Sequence, residues 1–237
     1  MSIAGKSVII TGATGHLGTV VARHFAEQGA KVALTYRGDA GLQELLDSLP
    51  PAAERLPIQC DVGDEAQVAA MVAQVHERLG GPDILLNLVG GYAFGQKVHE
   101  MELKTWQHML DLNLNSAFLC SKHVLPFMLE QGYGRIVCVS SKVAFDAPGG
   151  AAAYAIAKEG VNVLTACLAK EVKGTGVAAT AVAPSMIDTP EAREQNPKAD
   201  YSKWVTRETI AETLAYLASE AGGVLNGTTV KLFAGLA

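Results

Sequence analysis

The fold is decided near the start of the chain by the stretch KSVIITGATGHLG, residues 6–18. Residues 6–10 are predicted to form an apolar strand and residues 15–28 a helix. The glycine-rich turn between them permits a close approach of a pyrophosphate to the backbone. The N-terminus of the helix adds free N–H donors and the positive end of its dipole. As the first strand–helix turn of the chain, the stretch predicts dinucleotide binding rather than a structural turn, and the residues assigned to it are Gly12, Thr14, Gly15, His16, Leu17 and Gly18.

Strands and helices alternate along the rest of the chain. The predicted strands span residues 6–10, 31–35, 56–60, 83–87, 135–139, 177–182 and 228–232. The predicted helices span residues 15–28, 42–48, 64–79, 101–130 (bent near Pro126), 152–173 and 206–219, whereas residues 190–203 are predicted to be irregular. Such alternation implies right-handed crossovers, and apolar strands are typical of a sheet covered on both faces. The sequence therefore predicts an α/β fold, a Rossmann-type doubly wound, mostly parallel seven-stranded sheet with helices on both faces, in one domain of residues 1–237.

The composition excludes several classes of partner. Of the 237 residues, 49% are hydrophobic and 18% are charged, which suits a large buried core. The net charge is −5 and the basic residues are scattered, which argues against nucleic acid. No apolar run approaches the roughly 18 residues that a membrane helix needs. The N-terminus lacks the pattern of a secretory signal. We expect a cytoplasmic protein with no nucleic-acid or membrane partner.

The cysteines and histidines do not form a metal-binding pattern. No CxxC pair or zinc spacing occurs, so the four cysteines are predicted to be reduced core thiols: Cys60, Cys120, Cys138 and Cys167. Three histidines, His99, His108 and His123, are not arranged as ligands either, and surface or packing roles are expected for them. The sequence therefore predicts no metal site.

The end of the second strand bears on which dinucleotide is bound. An acidic residue at this place binds the ribose hydroxyls of NAD, whereas this chain has Tyr36 and Arg37. An arginine can pair with the 2′-phosphate of NADP through charge-assisted hydrogen bonds. The alternative is a solvated arginine at a strand end. We expect NADP as the preferred cofactor, with NAD possible. His16 either assists this recognition or is an exposed side chain whose backbone serves the turn.

Residues after the third and fourth strands fall where ligands bind in such sheets, beyond the carboxyl ends of the strands. Asp61 can accept a hydrogen bond from the adenine amino group or cap the next helix. Val62 follows it and is assigned to the cofactor site. Asn87 and Gly90 are predicted to line the cofactor trough.

A tyrosine and a lysine four residues apart suggest proton transfer. In the run AAAYAIAKEG, helical spacing places Tyr154 and Lys158 on one face, about 5–6 Å apart at Cβ. A nearby ammonium favours the phenolate form of a tyrosine, whose ordinary pKa is about 10. With a lowered pKa, Tyr154 could exchange a proton with a substrate oxygen near neutral pH. The alternative is an exposed helix that carries both residues by chance.

Taken together, these residues resemble the short-chain dehydrogenase/reductase family across nearly the whole chain. The glycine turn, the catalytic candidates and the segment from Pro184 to Thr189 occur in the family's order. Ser141 precedes Tyr154 by thirteen residues, the family's usual interval, which selects Ser141 over the neighbouring Ser140. The combination is specific to this family, although each motif by itself is not.

The resemblance implies the roles of the catalytic residues. Tyr154 is the general acid/base, Ser141 hydrogen-bonds the substrate oxygen, and Lys158 lowers the pKa of the tyrosine and holds the nicotinamide ribose. Asn113 helps to hold a water in a proton relay that reaches Lys158. As an alternative, Asn113 caps or kinks its helix.

The resemblance also assigns the loop after the sixth strand. Thr189 contacts the nicotinamide carboxamide, with Pro184 and Ile187 nearby, although Thr189 and Pro190 can also form a plain turn. Residues 186–204 are expected to form the substrate loop. Residues 91–94 and 147–150 are expected to border the same pocket.

The chain departs from the family pattern in four places. Its glycine spacing, TGxxGxxG, is more typical of the longer, epimerase-like branch than of the compact branch. Leu88 stands where a second asparagine is usual, which removes a polar stitch between neighbouring elements. Ser185 replaces a glycine, and the tail at 231–235 lacks the usual Asp-Gly-Gly.

The sequence therefore predicts an NAD(P)-dependent oxidoreductase that transfers a hydride between a nicotinamide cofactor and a carbonyl or alcohol substrate, and in particular an NADPH-dependent carbonyl reductase. The alternatives are a non-catalytic dinucleotide-sensing protein and an epimerase or dehydratase that retains its cofactor. The resemblance further implies a homo-oligomer, a dimer or a tetramer, formed through the two long helices.

Overall fold

A computed structural model describes residues 2–236, and in this range seven strands form one sheet. All neighbouring strands pair in parallel, in the order β3-β2-β1-β4-β5-β6-β7. The strands are β1 Ser7–Ile10, β2 Lys31–Tyr36, β3 Arg55–Gln59, β4 Ile84–Asn87, β5 Gly134–Val139, β6 Val177–Pro184 and β7 Thr229–Leu232. The predicted doubly wound α/β fold is confirmed.

The helices connect successive strands and cover both faces of the sheet. They are α1 His16–Glu27, α2 Leu42–Ser48, α3 Glu65–Leu79, α4 Leu103–Leu110, α5 Ser116–Gln131, α6 Val143–Asp146, α7 Ala152–Glu171, α8 Pro190–Gln195 and α9 Arg207–Ala218. Local sequence sets their ends. The Asp64 carboxylate, for example, caps α3 by accepting from the N–H groups of Ala66 and Gln67, and Gly80 ends that helix with a φ of 89°.

The alternation of strand side chains divides the core into two layers. In β1, Val8 and Ile10 face one layer and Ile9 faces the other. The first layer is filled by α1, α2 and α9, and the second by α3, α5 and α7. Because both faces are covered, the free edge for ligands is the carboxyl end of the strands, where the glycine turn and the segments after β2 to β6 lie.

The helical stretch predicted at residues 101–130 is interrupted, but not at Pro126. A π-helical turn, Asp111–Asn115, separates α4 from α5, and α5 runs through Pro126. Side chains stabilise the wide turn: Asn113 Nδ2 donates to the Met109 carbonyl over 3.0 Å, and Ser116 Oγ donates to the Leu112 carbonyl over 2.7 Å. The stretch is therefore divided by an irregular turn centred on Asn113, and Pro126 lies inside α5.

Two further expectations are wrong. Residues 190–203 are not wholly irregular, because α8 begins directly after Thr189, whose Oγ1 accepts from the Ala192 N–H over 3.1 Å, and Pro190 suits the first helical position. Cys167 is not a core thiol, since it is exposed on α7, whereas the other three cysteines are buried.

No helix within residues 2–236 combines the length and apolarity needed to cross a membrane.

Candidate active site

The glycine turn between β1 and α1 is shaped by backbone contacts that side chains would prevent. Gly12 has a φ of 67°, and the Gly15 N–H donates to the Gly12 carbonyl over 3.1 Å. A Cβ on Gly18 would lie 2.2 Å from the Gly12 oxygen, so only glycine fits there. The N–H groups of the first turn of α1 have no partner within the helix. The turn therefore offers a cradle of N–H donors that fits a diphosphate.

Thr11 provides a polar link between neighbouring elements, although Leu88 stands where a second asparagine is usual. Thr11 Oγ1 accepts from the N–H groups of Leu88, over 2.9 Å, and Val89, over 3.3 Å. A Cβ on Gly12 would lie 3.1 Å from the Val89 side chain, so the two segments are in close contact. The turn after β1 is thus tied to the segment after β4 without a second asparagine.

The residues predicted to read the adenosine part lie at the ends of β2 and β3. Arg37 is exposed directly after β2, and its carbonyl accepts from Gln59 Nε2 over 3.1 Å. Asp61 is exposed after β3 and accepts from the Gly63 N–H over 2.9 Å. It does not cap α3, because Asp64 does so. Val62 has a buried side chain, so it can offer only its main chain.

In the segment after β4, Asn87 has a structural role and Gly90 lies in the site. The Asn87 side chain is buried, and its Nδ2 contacts Ser121 Oγ and Cys138 Sγ, each at 3.4 Å. It therefore holds β4 to α5 and β5 and does not face the trough. Gly90 lies at the centre of the site, because a Cβ there would lie 2.8 Å from Asn113 Oδ1 and 3.0 Å from Lys158 Nζ.

Lys158 is buried in α7 and anchored to the sheet. Its Nζ donates to the Val139 carbonyl at the end of β5 over 2.8 Å. Its own carbonyl accepts from Ser140 Oγ over 2.9 Å, which gives Ser140 a structural role. Asn113 reaches the same place from the π-helical turn, since its Oδ1 accepts from the Gly91 N–H over 3.1 Å. Lys158 and Asn113 thus meet beside Gly90.

Tyr154 lies one turn before Lys158 in α7, at the side of the site that faces the substrate loops. The Phe94 ring packs edge-on against the Tyr154 ring, with centroids 5.8 Å apart. Ser141 is buried after β5, and its Oγ accepts from the Val143 N–H over 3.2 Å at the start of α6. The structure therefore brings together Ser141, Tyr154, Lys158 and Asn113.

Three loops predicted to border the pocket meet around Tyr154. The Gly95 N–H donates to the Gly150 carbonyl over 3.0 Å, which joins the segment after β4 to the loop before α7. The Tyr92 hydroxyl donates to Gln195 Oε1 over 2.6 Å, which joins the same segment to α8. We name the segment Pro190–Gln195 the lid helix because this bond joins it to the segment that carries Tyr92 and Phe94.

The residues from the end of β6 to Thr189 are held by main-chain contacts and by a helix cap. Pro184 is buried and accepts from the Lys142 N–H over 2.8 Å, and Ile187 forms a bridge with Val205. Thr189 Oγ1 caps the lid helix, so a contact with a cofactor would have to be shared with this bond.

Comparison with known proteins identifies the family to which the chain belongs. A family model described as short chain dehydrogenase matches residues 6–200. The chain belongs to the short-chain dehydrogenase/reductase family. A 2-dehydro-3-deoxy-L-rhamnonate dehydrogenase (NAD(+)) from Sphingomonas sp. (strain SKA58) is 37% identical over 190 residues, which cover 79% of this chain and 74% of that protein.

Two full-length relatives support the same assignment. A 3-oxoacyl-[acyl-carrier-protein] reductase from Thermotoga maritima is 32% identical over 249 residues, covering 100% of this chain and 99% of that protein. The crystal structure of a levodione reductase superposes with a TM-score of 0.91 at 30% identity and covers 98% of this chain and 97% of that one. The chain is therefore an NAD(P)-dependent oxidoreductase that acts on CH–OH or C=O groups.

The electrostatics of the short-chain dehydrogenase/reductase site differ from the sequence expectation. Burial raises the pKa of the Tyr154 phenol, hydrogen bonding with Ser141 lowers it, and Tyr92 raises it. Burial lowers the pKa of the Lys158 ammonium from 10.5 to about 8. The protein groups alone therefore do not give Tyr154 the lowered pKa that was predicted, because desolvation outweighs them.

Sequence reasoning missed one residue near the glycine turn. Arg207, the first residue of α9, donates from Nη1 to the His16 carbonyl over 3.4 Å. Its place in the chain carries no signal, since 191 residues separate the two. His16 itself is exposed at the start of α1, whereas Leu17 is half-buried against the core.

Proposed function

We propose that the protein is an NADPH-dependent carbonyl reductase that works by reversible hydride transfer. The observation that carries this proposal is the convergence of Lys158 and Asn113 beside Gly90, one helical turn from Tyr154. The absence of a side chain at Gly90 lets the Asn113 and Lys158 side chains approach the main chain there. The N–H cradle after β1 fits the diphosphate of the same cofactor.

In the proposed mechanism, Tyr154 donates its proton to the substrate oxygen as that oxygen gains negative charge. Ser141, buried beside it, donates a hydrogen bond to the same oxygen. The bound nicotinamide supplies the hydride. Lys158 holds the nicotinamide ribose, and Asn113 holds a water through which Tyr154 regains its proton. In the oxidising direction the same residues move the proton the opposite way.

The proposed cofactor residues surround the carboxyl ends of β1 to β6. The glycine turn contributes its N–H groups, and the segments after β2 to β6 contribute the remaining contacts. The set is Gly12, Thr14, Gly15, His16, Leu17, Gly18, Arg37, Asp61, Val62, Asn87, Gly90, Tyr154, Lys158, Pro184, Ile187 and Thr189. Asn87 and Val62 belong to it only through their main chains, because their side chains are buried in the core.

The preference for NADPH rests on Arg37. Its exposed guanidinium stands where an acidic residue would bind the ribose of NAD. We expect Arg37→Asp to reverse the preference from NADPH to NADH, because a carboxylate repels the 2′-phosphate. The ratio of kcat/KM for the two cofactors measures the change. An unaltered ratio would remove Arg37 from cofactor selection.

The substrate class is a small carbonyl compound that tolerates aromatic neighbours. Tyr92 and Phe94, each 52% exposed, flank the approach to Tyr154 and favour substrates with an apolar portion. Initial rates of NADPH consumption with ketones, aldehydes and acyl thioesters test the proposal, with Tyr154→Phe as the matched blank. Cofactor binding without consumption in the whole panel would favour a dinucleotide sensor or an enzyme that retains its cofactor.

A second copy of the chain is the proposed partner. Between α5 and α7 lies a groove of about 310 Å³, and its rim exposes Phe118 and Leu129. We expect a dimer or tetramer that buries this groove. Light scattering on Leu129→Glu tests this, because a charge on the rim should shift the mass towards the monomer.

The buried free thiols of Cys60, Cys120 and Cys138 favour a reducing compartment, the cytoplasm.

A further inference from the structure

Arg207 lies between two helices. It is the first residue of α9, which packs against α1, and its Nη1 donates to the carbonyl of His16, the first residue of α1. A guanidinium has five N–H donors, so this single bond of 3.4 Å leaves most of its donors available. A side chain from the far end of the chain thus lies at the margin of the glycine turn.

Arg207 forms no ion pair within residues 2–236, although, beside the hydrogen bonds from Arg193, its charge helps to lower the pKa of Asp188. Arg207 lines a cleft of about 350 Å³ together with Asp188, Thr189, Pro190, Arg193, Thr206 and Glu208. Of the two carboxylates that line the cleft, Asp188 is held by two 2.6 Å bonds from Arg193, and Glu208 follows Arg207 in the chain. Among residues 2–236, no carboxylate oxygen lies within 4.0 Å of the Arg207 guanidinium. The cleft therefore contains one paired and one unpaired arginine.

The glycine turn lacks a cation of its own. It offers main-chain N–H groups and a helix dipole, whereas a cofactor diphosphate carries two negative charges. A planar guanidinium matches the oxygen atoms of a phosphate and forms strong charge-assisted bonds with them. The bond to the His16 carbonyl holds the guanidinium beside the turn. The side chain is therefore positioned before any ligand arrives.

We infer that Arg207 binds the diphosphate of the cofactor, as the charged counterpart of the N–H cradle after β1. The inference rests on the proposed function, because it assumes that a dinucleotide lies in the turn. It divides cofactor recognition between two arginines: Arg37 reads the 2′-phosphate at one end of β2, and Arg207 holds the diphosphate at the start of α9.

Calorimetric titration with cofactor fragments tests this division. The ligands are NADP⁺, ADP, which has a diphosphate but no 2′-phosphate, and adenosine 2′-monophosphate, which has the reverse. We expect Arg207→Met to weaken NADP⁺ and ADP by roughly 10- to 100-fold and to leave adenosine 2′-monophosphate unchanged. Arg37→Met should weaken NADP⁺ and adenosine 2′-monophosphate and leave ADP unchanged.

Controls separate binding from structure. Arg23→Met removes an exposed charge from α1 two turns further on and should leave all three affinities unchanged. Arg207→Lys keeps the positive charge but not the planar guanidinium that can form two parallel hydrogen bonds, so an intermediate ADP affinity is expected. ADP affinity should also fall more steeply with added salt in the wild type than in Arg207→Met, an effect that a purely structural role does not produce.

The outcomes distinguish the inference from the proposed function. If the wild type binds all three ligands and Arg207→Met binds ADP equally well, the inference is wrong and the proposed function stands. The same conclusion follows if Arg207→Met weakens ADP but the salt dependence is unchanged. If the wild type binds none of the three, the proposed function fails and the inference with it.

Discussion

The two ends of the site are built from different parts of the polypeptide. The reaction end consists of side chains that are buried and hydrogen-bonded, such as Lys158 on the Val139 carbonyl and Asn113 on the Gly91 N–H. The nucleotide end consists of main chain, and its charged side chain Arg37 is exposed. A change at the reaction end should therefore act through chemistry and pKa values. A change at the nucleotide end should act through the space around the backbone or through the charge offered to phosphate groups.

The largest expected effect is on the reaction end. Tyr154→Phe should lower kcat by roughly 10²- to 10⁴-fold, because the proton donor is lost. The ring packing against Phe94 is retained, so the melting temperature and the Kd for NADPH should stay at the wild-type values. Steady-state kinetics and calorimetry measure these quantities. A kcat close to that of the wild type would show that the proton comes from another group.

The nucleotide end is tested by adding one methyl group. Gly18→Ala places a Cβ 2.2 Å from the Gly12 carbonyl oxygen, in a backbone contact that cannot relax by rotating a side chain. We expect a loss of about 3 kcal/mol in unfolding free energy and at least about tenfold weaker cofactor binding. Gly38→Ala is the matched control, because nothing lies within 4 Å of its Cβ position. Equal behaviour of the two variants would mean that the turn is not tightly closed.

The buried lysine links the reaction end to stability. Burial lowers the pKa of Lys158 to about 8, whereas an unfolded chain has the ordinary value of 10.5. Between these pH values the unfolded state binds more protons, so wild-type stability should rise with pH by roughly 2–3 kcal/mol. Lys158→Met removes this group, so its stability should lack the rise. Urea unfolding of both proteins between pH 7 and pH 10 provides the comparison, and parallel curves would mean that the ammonium is well solvated.

The smallest expected effect is at the border between the two ends. Tyr92→Phe removes the 2.6 Å bond to Gln195, which ties the lid helix to the segment that carries Phe94. Because the bond is exposed, we expect a change of less than about 1 kcal/mol, seen as a several-fold increase in KM with little change in kcat. Gln195→Leu should have the same effect, and the double variant should add nothing further. Additive effects would show that the two side chains act separately.

The fold could be predicted from the sequence because its signals are local and repeated. Apolar runs, glycine turns and helical periods recur along the chain, and the strand bounds agree with the structure to within a residue or two. A kink at Asn113 was one of two roles considered for that residue, but its π-helical form could not be predicted, since Asn113 and Ser116 stabilise it by bonding to main-chain carbonyls four residues earlier. Nothing in the spacing of apolar residues reports such bonds.

The identity and order of the site residues could be predicted from motifs. Their pKa values and side-chain directions could not, because these depend on the surrounding structure. The order of Ser141, Tyr154 and Lys158 follows from spacing, but the direction of the Tyr154 pKa shift depends on burial, which a sequence does not give. Asn87 has the expected residue type after β4, yet its side chain turns into the core towards Cys138. Arg207 lacks any motif and is brought to the turn by the packing of α9 on α1.

The wide turn at Asp111–Asn115 changes the direction in which a nearly continuous helix faces its neighbours. A π turn closes with one more residue than an α turn, so the helical phase advances by about 100° across it. On its two sides, α4 packs against α7, whereas α5 packs against α3. Deleting one residue here would restore a regular helix and rotate one half away from its partner. The extra residue therefore determines both the direction of the Asn113 carboxamide and the packing of the two helix faces.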